Sequence, residues 1–372
     1  MKKYILVFIS LSLLTASCSD DSSKDDGAQD SFDRKAMLTH WADNIIIPSY
    51  DQFMSSVTAL HASAENFTEN PTVESLEQLR EDYQIAYLDF QTVSMFEIGP
   101  AETVGFRGYL NTYPTNATAI EGIVEASETP NLALSSSRNA QGFPALDYFL
   151  YGVGEDSAAV LENYTSSTNA NSYKNYLKMT SKRIRDLSTV VQADWINFYR
   201  DDFVNNTSSS ATGSVDMMAN DFIIYYEKYI RSGKVGIPAG VFSGNKEPQT
   251  LESYYHPTLS KDLLEKALTS SKDFFLGKSF QQAGNGSSFK SYLDYLNSIK
   301  EGEDLSTLIL NQYAESESKI AALQDNFLLE VENNNAIMLN AYDSMQKNVI
   351  LLKIDMLQAL SISVDYIDTD GD

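Results

Sequence analysis

Residues 173–191 read YKNYLKMTSKRIRDLSTVV, and the spacing inside that stretch decides the fold. Tyr173, Leu177, Thr180, Ile184, Leu187 and Val191 alternate four and three apart, the step that keeps one seam on one side of an α-helix. Trp195 and Phe198 extend the seam by the same steps, while Lys182, Arg183, Arg185 and Asp186 fall off it, as a solvated face requires. Working outward, Ile309, Tyr313, Ile320, Leu323, Phe327 and Val331 show the same habit. A late helix from about Asn335 to Ser363 carries Ile350, Ile354 and Leu357 on one stripe. Long helices with this spacing predict an all-α protein made of up-and-down helical bundles. No alternating apolar–polar run is long enough to predict a strand.

Clear breaks punctuate the helices at Asn70-Pro71, Gly99-Pro100, Thr129-Pro130, Asn205–Gly213 and Gly233–Pro248. The roughly 340 residues that follow the N-terminal segments exceed what one hydrophobic core usually serves. Two bundle domains are therefore expected, 34–158 and 159–372, with the boundary in the stretch from Gly154 to Thr168. A hydrophobic fraction of 43% supplies both cores.

The first residues are a targeting segment. Lys2 and Lys3 precede an apolar run, Tyr4–Leu14, too short to span a bilayer. Thr15-Ala16-Ser17-Cys18 then places small residues before the single cysteine of the chain, the arrangement a lipoprotein signal peptidase requires. Residues 1–17 are thus expected to be a lipoprotein signal peptide and Cys18 a lipidated anchor, whose several acyl chains make membrane attachment stable. Residues 18–33, SDDSSKDDGAQDS behind the cysteine, carry almost no apolar surface and read as a flexible acidic tether. An acidic run in that place also resembles the export signal of surface lipoproteins in the Bacteroidetes. The expected location is the outer membrane, facing either the periplasm or the cell surface.

Charge excludes one class of partner. A formal net charge of −24, made more negative once Lys2 and Lys3 leave with the leader, repels nucleic acid, and no basic patch interleaved with aromatics is present.

Upstream of the opening stretch lies Arg138–Gly152, RNAQGFPALDYFLYG. Gly142-Phe143 reads as a turn, Pro144 as a helix start, where its missing N–H costs nothing, and Leu146, Phe149 and Leu150 as a buried face. This segment resembles the signature of the imelysin family, iron-regulated envelope proteins once described as insulin-cleaving peptidases. The family pattern is Gly-x-His-x-x-Glu followed by an apolar run ending in Gly. Here Gly142 is kept, Pro144 stands in place of the His, and Asp147 in place of the Glu. The resemblance continues through Asn44–Ala101 with its closing Gly99-Pro100, Arg107–Tyr113 followed by Pro114, Lys234–Pro238, Glu252–Leu259 (ESYYHPTL) and the terminal Asp368–Asp372.

A His and a Glu three apart share a helical face and can both reach one divalent metal. Pro144 offers no nitrogen ligand, and Asp147 keeps a carboxylate one methylene shorter. The resemblance therefore implies a binding or accessory role in iron or haem acquisition, with iron or another divalent metal as the possible cofactor. The alternative is a metallopeptidase of the imelysin type. The implied site is a cleft between the two bundles, with Arg138, Gly142, Asp147, Glu252, Tyr255, His40 and His256 as candidates. Arg138 is suited to an anionic group through a bidentate pair. Other chemistry is poorly supplied. His61 and Glu65 read as a surface pair, no nucleophile or cofactor motif occurs, and the terminal Asp368-x-Asp370 run lacks the remaining ligands of a calcium loop.

Overall fold

A computed structural model describes residues 30–366, so the leader, Cys18, most of the tether and the Asp368–Asp372 run lie outside the described residues. Among the described residues, those from Asp33 onward form one compact unit. Asp33 caps the first helix, Arg34–Trp41, its carboxylate accepting from the Ala36 N–H at 2.9 Å. Among the described residues the only sheet is a two-residue hairpin, Ile299–Lys300 with Glu303–Asp304. The expected all-α architecture is the observed one.

The first bundle is built on Ile47–Glu69 and Val73–Val93, separated by the Asn70-Pro71 break and restarted by a Thr72–Ser75 capping box. Helix Ala170–Asp194, beyond the sequence-drawn boundary at 158, packs against Ile47–Glu69. The second bundle comprises Leu259–Leu276, Leu305–Ala321 and Phe327–Ile350, with the π-helical segment Tyr225–Gly236 against them. Leu259–Leu276 also packs on Val73–Val93, so the two groups of helices belong to the one compact unit.

The opening seam is buried at every position, and so is the one from Ile309 to Val331. Two stripe assignments fail. Phe198 is 74% exposed and Ile354 57%, with Ile350 exposed beside it, although Trp195 and Leu357 are buried. Phe198 falls inside a π-turn, Trp195–Tyr199, whereas Ile350 ends an α-helix and Ile354 follows it in the segment Leu351–Met356. At Phe198 the extra residue per turn rotates the side chain off the seam, while Ile350 and Ile354 share an outward face and Val349, Leu352 and Met356 beside them are buried. After Trp195 it is Tyr199 and Phe203 that meet its ring, at 4.9 and 5.3 Å.

Candidate functional site

Helix Gly142–Asp147 is fixed by its two ends. Gly142 has φ +75°, and a Cβ there would lie 2.2 Å from the Leu110 carbonyl oxygen, so only glycine lets the two backbones touch. Phe143 stacks flat on Tyr87, rings 4.5 Å apart, which seats the segment in the first bundle. Pro144 sits in the first turn as its residue type requires. Beyond Asp147 the helix loosens into a π-turn, Tyr148–Gly152, and the ring of Tyr255 occupies the space a side chain at Gly152 would need.

Asp147 is 1% exposed. Its carboxylate accepts from the Ser253 hydroxyl at 2.8 Å and from the Tyr255 backbone N–H at 2.8 Å, with the Tyr83 hydroxyl 3.5 Å away. Burial pushes its pKa up to about 7 against those hydrogen bonds, which favour the charged form. The side chain therefore fastens the signature helix to the Glu252–His256 segment across more than a hundred residues of chain.

Next to it lies a buried charged cluster. Glu252 pairs with Lys234 and accepts from Asn111 Nδ2 at 2.7 Å and Gln91 Nε2 at 3.4 Å. Lys234 also donates to Gln91 Oε1 at 2.9 Å, and the Tyr87 hydroxyl donates to Asn111 Oδ1 at 2.5 Å. Burial draws the Lys234 pKa down, and Glu252 opposes it. A buried pair of this kind is tolerated because every remaining polar atom finds a partner.

Above these groups opens a cavity of about 240 Å³ whose walls include Tyr113, Pro144, Asp147, Glu252, Tyr254 and Tyr255. Of the seven residues chosen from sequence, Asp147, Glu252 and Tyr255 meet here, and Gly142 shapes the helix beneath. The other three stand elsewhere. His40 bonds the Gly277 carbonyl oxygen at 2.7 Å. His256 stacks on Tyr151 at 4.4 Å in a separate open groove with Arg80, and burial, followed by the Arg80 charge, lowers its pKa. Arg138 lies over the Tyr109 ring. His61 is buried rather than at the surface, bonded to Ser181 at 3.0 Å, with Glu65 3.7 Å away.

The donor set does not fit a resident metal ion. Pro144 contributes carbon to the wall, both Asp147 oxygens are occupied by protein donors, and Glu252 is neutralised by Lys234. Among the described residues no three His, Cys, Asp or Glu side chains are grouped as a shared ion needs. Sequence reading missed Lys234, Ser253, Gln91 and Asn111. Lys234 falls inside a π-helical stretch, where 3.6-residue spacing gives no warning of burial. Its signals in sequence were its place between Gly233 and Val235 and in the family-like Lys234–Pro238 stretch.

A second buried network joins Arg107 to Asp221 at 3.0 Å, with the Arg107 N–H on Glu97 at 2.8 Å. Burial, the largest influence, lifts Glu97 to about 7 and raises Asp221.

The family model described as Imelysin matches residues 46–349. Iron-regulated protein A of Synechococcus elongatus is 27% identical over 115 residues, a match that takes in only 31% of each chain. Two crystal structures share the fold. One is described as an iron-regulated protein A precursor from Parabacteroides distasonis, with TM-score 0.73 and 16% identity over 89% of this chain and 96% of that one. The other is an imelysin-like protein from Psychrobacter arcticum, with TM-score 0.69 and 17% identity over 90% and 97%.

Proposed function

The chain belongs to the imelysin family, and we propose that it acts there as a lipid-anchored envelope protein of iron or haem acquisition that binds a small ligand rather than cleaving a peptide. The observation carrying this reading is the Asp147 carboxylate. The acidic member of the signature is turned inward as a staple for Ser253 and Tyr255 and is not held ready for a metal or a water. Pro144 beside it removes the imidazole that the peptidase alternative requires. The name of the Synechococcus elongatus relative, iron-regulated protein A, supports the iron connection. A volume of about 240 Å³ lies below the ~300–1,000 Å³ typical of pockets for drug-sized ligands, which favours a small ligand over a macrocycle such as haem. The anchor at Cys18 and the outer-membrane location rest on the leader alone.

Exposed Gln249 lines the cavity and takes no part in the buried cluster, so Gln249→Trp plugs the opening while leaving the staple intact. A deletion strain grown under iron chelation is expected to lag. The wild-type gene should restore growth and Gln249→Trp should not. Normal growth of the deletion strain in low iron would sink the assignment to iron, and hydrolysis of unfolded peptides by the purified protein would favour the peptidase.

A further inference from the structure

Tyr109, on helix Phe106–Leu110, carries two arginines from different elements on its ring. The Arg138 guanidinium carbon, from the turn Ser135–Ala140, lies 4.7 Å from the ring centroid, and that of Arg183, from helix Ala170–Asp194, lies 5.3 Å from it. The Tyr109 hydroxyl donates to the Ala133 carbonyl at 2.9 Å, which holds the ring. The backbone makes room for Arg138. A Cβ at Gly108 would stand 3.3 Å from its guanidinium carbon, and one at Gly105, where φ is +65°, would stand 3.0 Å from Nη2.

Among the described residues neither guanidinium has a carboxylate or any other hydrogen-bond acceptor, and both Nε atoms are buried without a partner. Every other arginine has one: Arg34 on Tyr292, Arg80 on the Leu150 carbonyl, Arg107 on Asp221, Arg185 on Asp186, Arg200 on Asp43, and Arg231 on Ser232. In a chain with 51 acidic residues, two arginines on one tyrosine ring without a carboxylate partner are conspicuous. Planar guanidinium forks are the groups best matched to a paired-oxygen anion.

We propose that Arg138, Tyr109 and Arg183 form a binding site for a small oxyanion ligand bearing phosphate or carboxylate groups. The site is independent of the Asp147 cavity, since neither arginine lines it. The signature resemblance singles out Arg138 alone. The structure adds Arg183, which the seam places on a solvated face.

Calorimetric titration of the purified protein with inorganic phosphate, and separately with citrate, in buffers matched for chloride tests the proposal. Saturable one-site binding of at least one probe is expected. Arg138→Gln and Arg183→Gln should each weaken it roughly tenfold, as loss of a charge-assisted pair implies. Arg185→Gln, whose guanidinium is held by Asp186, should leave it unchanged. Binding of phosphate alone assigns a phosphoryl ligand, and binding of citrate alone a carboxylate one. Thermal melts report folding, and if Arg138→Gln does not fold, Arg183→Gln carries the test. Saturation by neither probe, or equal binding by wild type and the double variant, overturns the site.

Discussion

Replacing Asp147 with Asn should change how stability depends on pH more than it changes stability itself. The folded carboxyl titrates near 7, pushed up by burial, whereas an unfolded Asp titrates near ~3.9. Between those values the native state holds a proton that the unfolded chain has released, so stability falls as pH rises through this window. The contribution is complete below about 4 and is lost as pH climbs through 7. Going from pH 5 to pH 8 crosses about two units of that difference, and at 1.36 kcal/mol per unit the loss is roughly 2–3 kcal/mol. Glu97, also lifted to about 7 by burial, adds a loss in the same direction, but it does so in both proteins and cancels in the comparison. Asn keeps the shape and one carbonyl for the Tyr255 N–H, and the Ser253 hydroxyl can turn to accept from its amide. Urea unfolding of wild type and Asp147→Asn at pH 5 and pH 8 should therefore show the wild type losing about 2–3 kcal/mol more. Equal losses in the two proteins would refute the account of Asp147 as a buried carboxyl that resists ionisation.

Gly142→Ala should destabilise by about 2–5 kcal/mol, combining ~1–2 kcal/mol for a left-handed alanine with ~1–3 kcal/mol for the clash against Leu110 O, and a melting temperature within a degree of wild type would contradict the close approach. Lys234→Met leaves Glu252 as a buried unpaired charge and should cost roughly 3–5 kcal/mol, measured by denaturant unfolding, whereas the joint change Lys234→Met with Glu252→Leu should recover much of it. Cys18→Ser should move the protein from the membrane to the soluble fraction on fractionation, and unchanged partitioning would remove the lipid anchor from the proposal.

Helix positions were legible because bundle seams repeat their spacing, and the buried residues from Tyr173 to Val191 follow from that alone. The seams stop being legible at Phe198, inside a π-turn that leaves no mark in composition, and at Ile350 and Ile354, an apolar stripe that faces outward. Asp147, Glu252 and Tyr255 were found through a family pattern, yet their partners were not. Ser253 and Gln91 are ordinary polar residues whose meaning comes only from what the fold brings beside them. Arg183 illustrates the converse case, because a charged residue off the seam reads as solvated until a tyrosine from another helix lies beneath it.

The pairs that close the molecule reach far along the chain. Arg34 to Tyr292, Gln91 to Lys234, Arg107 to Asp221 and Asp147 to Tyr255 all span the exposed Thr207–Thr212 loop. A protease nick in that loop would thus release neither half. The two pieces are expected to stay together as a complementing pair, and expressing the chain as two polypeptides split in that loop would test it.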